Sequence, residues 1–170
     1  MKKSLTTFFM AAFLLVAYSG FGQNQTPPNP ENWQKVYLNS GRSIWIPKGW
    51  STEEKTLDNG TIQFISSNPA RQMWLTMWFY NTERSAGDRM EGMISTNNID
   101  VTKSYTETYG ALKVMSKIGK MVTNGKQNNV IISTAEGAGG NWNVVGAYWS
   151  DPERFGKHKN KFPIFFNSLN

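Results

Sequence analysis

The stretch "RQMWLTMWFY" at 71–80 alternates with a period of two, setting Met73, Leu75, Met77 and Phe79 on one side and Gln72, Trp74, Thr76, Trp78 and Tyr80 on the other. Such alternation predicts a β-strand. Large apolar groups occur on both sides, so the strand belongs in a sheet covered on at least part of its second face. Two shorter runs precede it, "SIWIP" at 43–47 and "TIQFI" at 61–65, separated by the polar, turn-forming "STEEKTLDNG". They read as two antiparallel strands joined by a loop.

The period changes in "SAGDRMEGMISTNN". Ser85 and Asp88 have the spacing of a capping box, and Met90, Met93, Ile94 and Asn97 share one helical stripe, which predicts a helix over 86–98 despite two interior glycines. Residues 101–122 are ambiguous. "ALKVMSKI" permits a helix, but the β-branched and aromatic content, the turn composition of "TNGKQ" and the strand-like "NNVIISTA" favour one bent strand or two. "EGAGG" then separates "NNVIISTA" from "NWNVVGAYWS", an arrangement that predicts a hairpin with positive backbone angles in its loop. A phosphate loop is disfavoured, because Gly140 is followed by Asn141 and Trp142 rather than by lysine and a hydroxyl residue. A dinucleotide fingerprint would open a helix, whereas these glycines open a strand. Asp151 and Glu153 suit a first helical turn, and Phe162, Phe165, Phe166 and Leu169 recur at helical spacing after Pro163, predicting a closing helix over 162–169 against the sheet. The expected central, mostly antiparallel sheet contains 43–46, 61–65, 72–79, 129–135 and 142–149.

The N-terminus changes the picture of location. Lys2 and Lys3, the apolar segment from Phe8 to Ala17 and the small residues Ser19, Gly20 and Gly22 form the three parts of a secretory signal peptide, expected to span 1–22. The apolar run is about half the length of a membrane-spanning helix. With no cysteine in the chain, lipoprotein processing is closed on chemical grounds. A flexible leader over 23–32, rich in proline and polar residues, and one α/β domain over 33–170 complete the expected organisation. The location this implies is periplasmic or extracellular, with no transmembrane anchor after cleavage. Loss of the two signal lysines lowers the formal charge from +6 to +4. The basic residues cluster only at Lys157, His158, Lys159 and Lys161, so no nucleic-acid partner is expected.

The chemical inventory is narrow. The single histidine, His158, and the absence of cysteine remove most metal and acyl-transfer arrangements, and no metal or cofactor is expected. Glu53 and Glu54 read as solvated loop residues. Glu107 and Glu136 are the acids least explained by local structure, but neither belongs to a motif, and carboxylate-dependent hydrolysis stays the least favoured function. The seven tryptophans are the unusual feature. Most are expected to pack within the core. Trp45, Trp50, Trp74 and Trp78 are the candidates for a ligand-facing or partner-facing surface, with Asn59, Gln63 and Gln72 as hydrogen-bonding companions.

"IWIPKGW" near the start and "YWSDPERFGKHKNKFPIFFNSL" at 148–169, together with the order of elements between them, resemble the Mog1/PsbP-like family. The resemblance covers about residues 33–169. It implies a single α/β domain, a compact α/β/α sandwich on a central antiparallel sheet, and accessory binding roles rather than catalysis. No family site residue maps onto this chain. The reading is an exported, non-enzymatic accessory or binding domain that engages a protein or cell-envelope component through aromatic and basic surface. The alternative is a module that binds a carbohydrate or small ligand with exposed tryptophans.

Overall fold

A computed structural model describes residues 31–39, 41–80, 84–109, 112–136 and 143–159. Nine strands and two helices follow one another there: β1 (Trp33–Tyr37), β2 (Ser43–Pro47), β3 (Ser51–Thr56), β4 (Ile62–Ser67), β5 (Met73–Tyr80), α1 (Ala86–Thr96), β6 (Asp100–Tyr109), β7 (Leu112–Thr123), β8 (Lys126–Glu136), β9 (Asn143–Ser150) and α2 (Pro152–His158). Seven strands form one sheet in the order β3-β4-β5-β9-β8-β7-β6, with every neighbouring pair antiparallel. The ambiguous 101–122 region is strand throughout its described part, in two pieces. The hairpin around "EGAGG" is present as the β8–β9 pair, whose last partners are Glu136 and Asn143. Residues 137–142, the 162–169 segment and the N-terminal signal and leader up to residue 30 lie outside the described residues.

Two expectations need correction. Residues 43–46 do not join the central sheet: β2 pairs with β1 in a separate two-stranded ribbon. Its alternation has a different use, since Ile44 and Ile46 are fully buried and press the ribbon onto one face of the large sheet. "STEEKT" is not loop but strand β3, paired with β4 from Ser51↔Ser67 to Thr56↔Ile62. It lacks apolar residues because it is an edge strand with most of its side chains in water. Glu53 therefore sits on a strand, ion-paired with Lys55 at 2.8 Å. The Glu54 carboxylate accepts the Asn39 backbone N–H at 3.0 and 3.1 Å, tying the edge to the chain beyond the ribbon.

Alternation sorts the large sheet into two faces. Phe64, Leu75, Met77, Val144 and Tyr148 point to the first, where Trp33, Leu38, Ile44 and Ile46 from the ribbon region and Phe155 from α2 close over them. Phe155 stacks on Tyr148 with ring centroids 5.8 Å apart. On the second face Met90 of α1 covers Val130, Ile132 and Val145. The helices thus occupy opposite faces, and the molecule is a single α/β/α sandwich.

Local chemistry fixes both helices. Ser85 Oγ accepts the Asp88 N–H at 3.1 Å, as the sequence spacing requires, and the Glu136 carboxylate accepts the Ala86 N–H at 3.1 Å from the neighbouring strand end. Asp151 caps α2 by accepting the Arg154 N–H at 3.0 Å, with Pro152 in the first turn, where its missing donor costs nothing. Gly119 in β7 is required by close approach: a Cβ there would stand 2.6 Å from the Asp100 carbonyl oxygen, beside the irregularity between Val101 and Lys103.

Candidate functional site

Helix α1 is too short to cover the second face of the sheet. It lies over β8 and β9, and the β4–β5 side stays open among the described residues. The result is a groove of about 660 Å³ with the sheet as floor and α1 as one wall.

Register determines the floor. Trp74 lies opposite Trp149 across β5 and β9, and Trp78 lies opposite Val145. The row between them carries Thr76 opposite Ala147, the two smallest side chains of this part of the floor. Both side chains are themselves buried, at 3% and 7% exposure, and they form a low row between large aromatic groups, the notch of the groove floor, with the Cα atoms of Trp74 and Trp78 about 13 Å apart along the strand. The indoles of Trp74 and Trp149 stack, with centroids 5.9 Å apart and planes inclined by 11°. That contact occupies one face of each ring, and Trp74, Trp78 and Trp149 are all only half-buried. Gln63 and Ile65 extend the floor toward the edge.

The wall presents Arg89, Met93 and Asn97, spaced four residues apart along α1 and so aligned on one ridge. Asn97 is at the C-terminal cap, where its side-chain amide donates to the Met93 carbonyl at 2.9 Å. Arg89 lays its guanidinium over the Tyr80 ring, 3.8 Å from the centroid. Its Nε is buried with no acceptor, and no carboxylate pairs with it among the described residues. Burial pushes the Tyr80 phenol up, and the neighbouring Arg89 charge pulls it part of the way back. Tyr80 is therefore a neutral ring and hydroxyl donor at physiological pH. Arg84 and Asp88 complete this end of the groove, both exposed.

Of the four candidate tryptophans, the structure brings together two. Trp74 and Trp78 share the groove, whereas Trp45 and Trp50 are half-buried against the core of the opposite face. Gln63 lies in the groove. Asn59 instead accepts the Thr61 N–H at 3.0 Å in the β3–β4 turn, and Gln72 is an exposed residue just before β5. Trp149, Tyr80 and Arg89 were not singled out by sequence. Tyr80 is the next same-side residue after Trp78, and Arg89 precedes Met93 by one helical turn, so both signals were present. Trp149 needed the β5–β9 register. Among the described residues no group of three histidine or acidic side chains could hold a metal ion. Asp88 is the acid lining the groove, and Glu136 is explained as the anchor of α1.

The fold defines the class: the chain has the Mog1/PsbP-like fold, and in this chain the sheet keeps one face closed and part of the other open among the described residues. Cyanobacterial PsbP from Synechocystis sp. PCC 6803 is similar at TM-score 0.62 and 12% identity, over 85% of this chain and 95% of that one. The Ran-binding protein Mog1p of Saccharomyces cerevisiae is similar at TM-score 0.57 and 10% identity, over 82% and 95%. A Bacteroides thetaiotaomicron structure matches at TM-score 0.57 and 12% identity, over 82% of this chain and 48% of that larger one. No family model matches the sequence, and no curated protein does. At these identities the likeness is one of fold.

Proposed function

We propose that the protein is an exported accessory binding domain that receives a small ligand, a carbohydrate foremost, in the groove between α1 and the β4–β5 side of the sheet. One observation carries this reading: Trp74, Trp78 and Trp149 border a notch floored by Thr76 and Ala147 within a groove of about 660 Å³. That volume falls in the range of small-molecule sites, and flat indole faces with nearby amide and hydroxyl groups suit sugar rings. Export is supported by the charged, apolar and small-residue segments of the first 22 residues. Among the described residues no helix is long and apolar enough to cross a membrane.

A panel of glycans and metabolites titrated against intrinsic tryptophan fluorescence tests the reading. At least one glycan should change the emission saturably, and the Trp78→Ala variant should lose that response. A flat response across the panel would remove the carbohydrate reading and leave a protein partner in the cell envelope, the second reading. That alternative is favoured by the name of Mog1p, which is a Ran-binding protein. Capture from envelope extract would then have to enrich a protein above a surface-altered control.

A further inference from the structure

We propose that the groove is selective for an acidic oligosaccharide, one that carries a uronic-acid carboxylate, and that Arg89 reads that carboxylate. This rests on the groove being a ligand site and goes further by naming the charge and its receptor. Arg89 and Arg84 stand at one end of the groove, where Asp88, exposed at the rim, is the one acid among the described lining residues. Neither arginine has an ion-pair partner among the described residues. Among the described residues the Arg89 guanidinium is held over an aromatic ring and not by a carboxylate.

The way Arg89 is held matters. Its planar group lies over the Tyr80 ring at 3.8 Å, which consumes a face and leaves the in-plane N–H edge for hydrogen bonding. Its Nε–H is buried without an acceptor among the described residues, so the edge a ligand would meet is the one formed by the two terminal NH2 groups. A planar carboxylate matches such an edge with two parallel charge-assisted bonds. Tyr80 restrains the guanidinium before the ligand arrives, so less side-chain freedom is lost on binding.

Spacing sets the size of the ligand. The notch at Thr76 and the arginine end at Tyr80 are four residues apart on β5, about 13 Å. One sugar ring cannot both lie in the notch and reach Arg89, whereas a short oligosaccharide can. Met93 on the wall and Trp78 on the floor supply apolar contact between those ends, and Gln63, opposite Trp78, offers an amide to sugar hydroxyls.

The test uses a matched pair, cellotetraose and its C6-oxidised form tetraglucuronate, titrated calorimetrically into the intact protein and into the Arg89→Met variant, which keeps the volume over Tyr80 but loses the charge. Tetraglucuronate should bind at least about tenfold more tightly than cellotetraose to the native protein, and the variant should bind the two glycans alike. A cooperative thermal melt certifies that the variant is folded. Equal affinities for the two glycans in the native protein would overturn the charge selectivity and leave the groove reading standing. A preference that survives in Arg89→Met would overturn the role of Arg89. Binding of neither glycan would overturn this proposal, and the fluorescence panel then decides the groove reading separately.

Discussion

The two faces of the seven-stranded sheet are made by the same strands and end in opposite states. On the closed face, side chains from β4, β5, β8 and β9 meet the β1–β2 ribbon and α2, and Leu75, Met77 and Val144 are fully excluded from solvent. On the open face the same β5 presents the larger Trp74 and Trp78, and both remain partly in water: Trp78 packs against the core under α1, whereas Trp74 lies outside it. Trp78 packs against the second, smaller core and Trp74 stacks on Trp149, so each ring is partly satisfied within the chain while part of it stays in water.

Three substitutions can break or sharpen that contrast. The largest effect is expected at Leu75→Ala on the closed face, which should cost about 2–5 kcal/mol through lost transfer energy and a residual cavity. Urea titration should show a lower midpoint with an unchanged slope. A loss under about 1 kcal/mol would mean that this face repacks freely and is not the tight side. Next comes Trp78→Ala on the open face, expected to cost about 1–2 kcal/mol because the ring is only partly removed from water. If Trp78→Ala proved as damaging as Leu75→Ala in the same titration, the groove floor would be core and the contrast would fail.

The smallest effect concerns the helix that helps close the first face. The Arg154 backbone N–H, followed by its guanidinium, holds the Asp151 carboxyl below its ordinary value. A carboxyl lowered by folding contributes stability above its unfolded-state value, and that contribution is lost as pH falls through the folded-state value. Asp151→Ala should therefore cost about 1 kcal/mol at pH 7, with the penalty shrinking as the solution is acidified below about pH 4. Thermal melts at neutral and acid pH check this, with Ser85→Ala, the uncharged cap of α1, as control. Equal penalties at both pH values would show that the Asp151 charge contributes nothing beyond what a hydroxyl cap gives.

The contrast between faces was only half legible in the sequence. The two-sided apolar pattern of 71–80 announced a sheet with something on each face, and Ser85 with Asp88 announced α1, because both signals are local and periodic. β3 left no trace, since an edge strand with solvated faces needs no apolar residue and its pairing information lies in β4. The ribbon misled for the opposite reason: Ile44 and Ile46 carry a strand's pattern whether the strand sits in the sheet or lies across it. The groove was partly visible in Trp74 and Trp78, but its notch depends on Thr76 facing Ala147, and its stacked pair on Trp74 facing Trp149. Those are facts of register between segments far apart in the chain, which no local pattern encodes.

The sheet order carries one more consequence. β3, β4 and β5 form one continuous meander, β6 to β9 form another, and the two meet only along β5 and β9. Within each meander, pairing links consecutive strands. The joint between them instead links chain on either side of α1 and three further strands, so it is the pairing whose closure is most costly in chain entropy. The stacked indoles of Trp74 and Trp149 sit astride that joint, one from each half. Neither half alone has the notch, and a molecule seated there grips both halves at once. Occupancy would act as a clasp, lending its binding free energy to the joint that closes the longest stretch of chain in the large sheet.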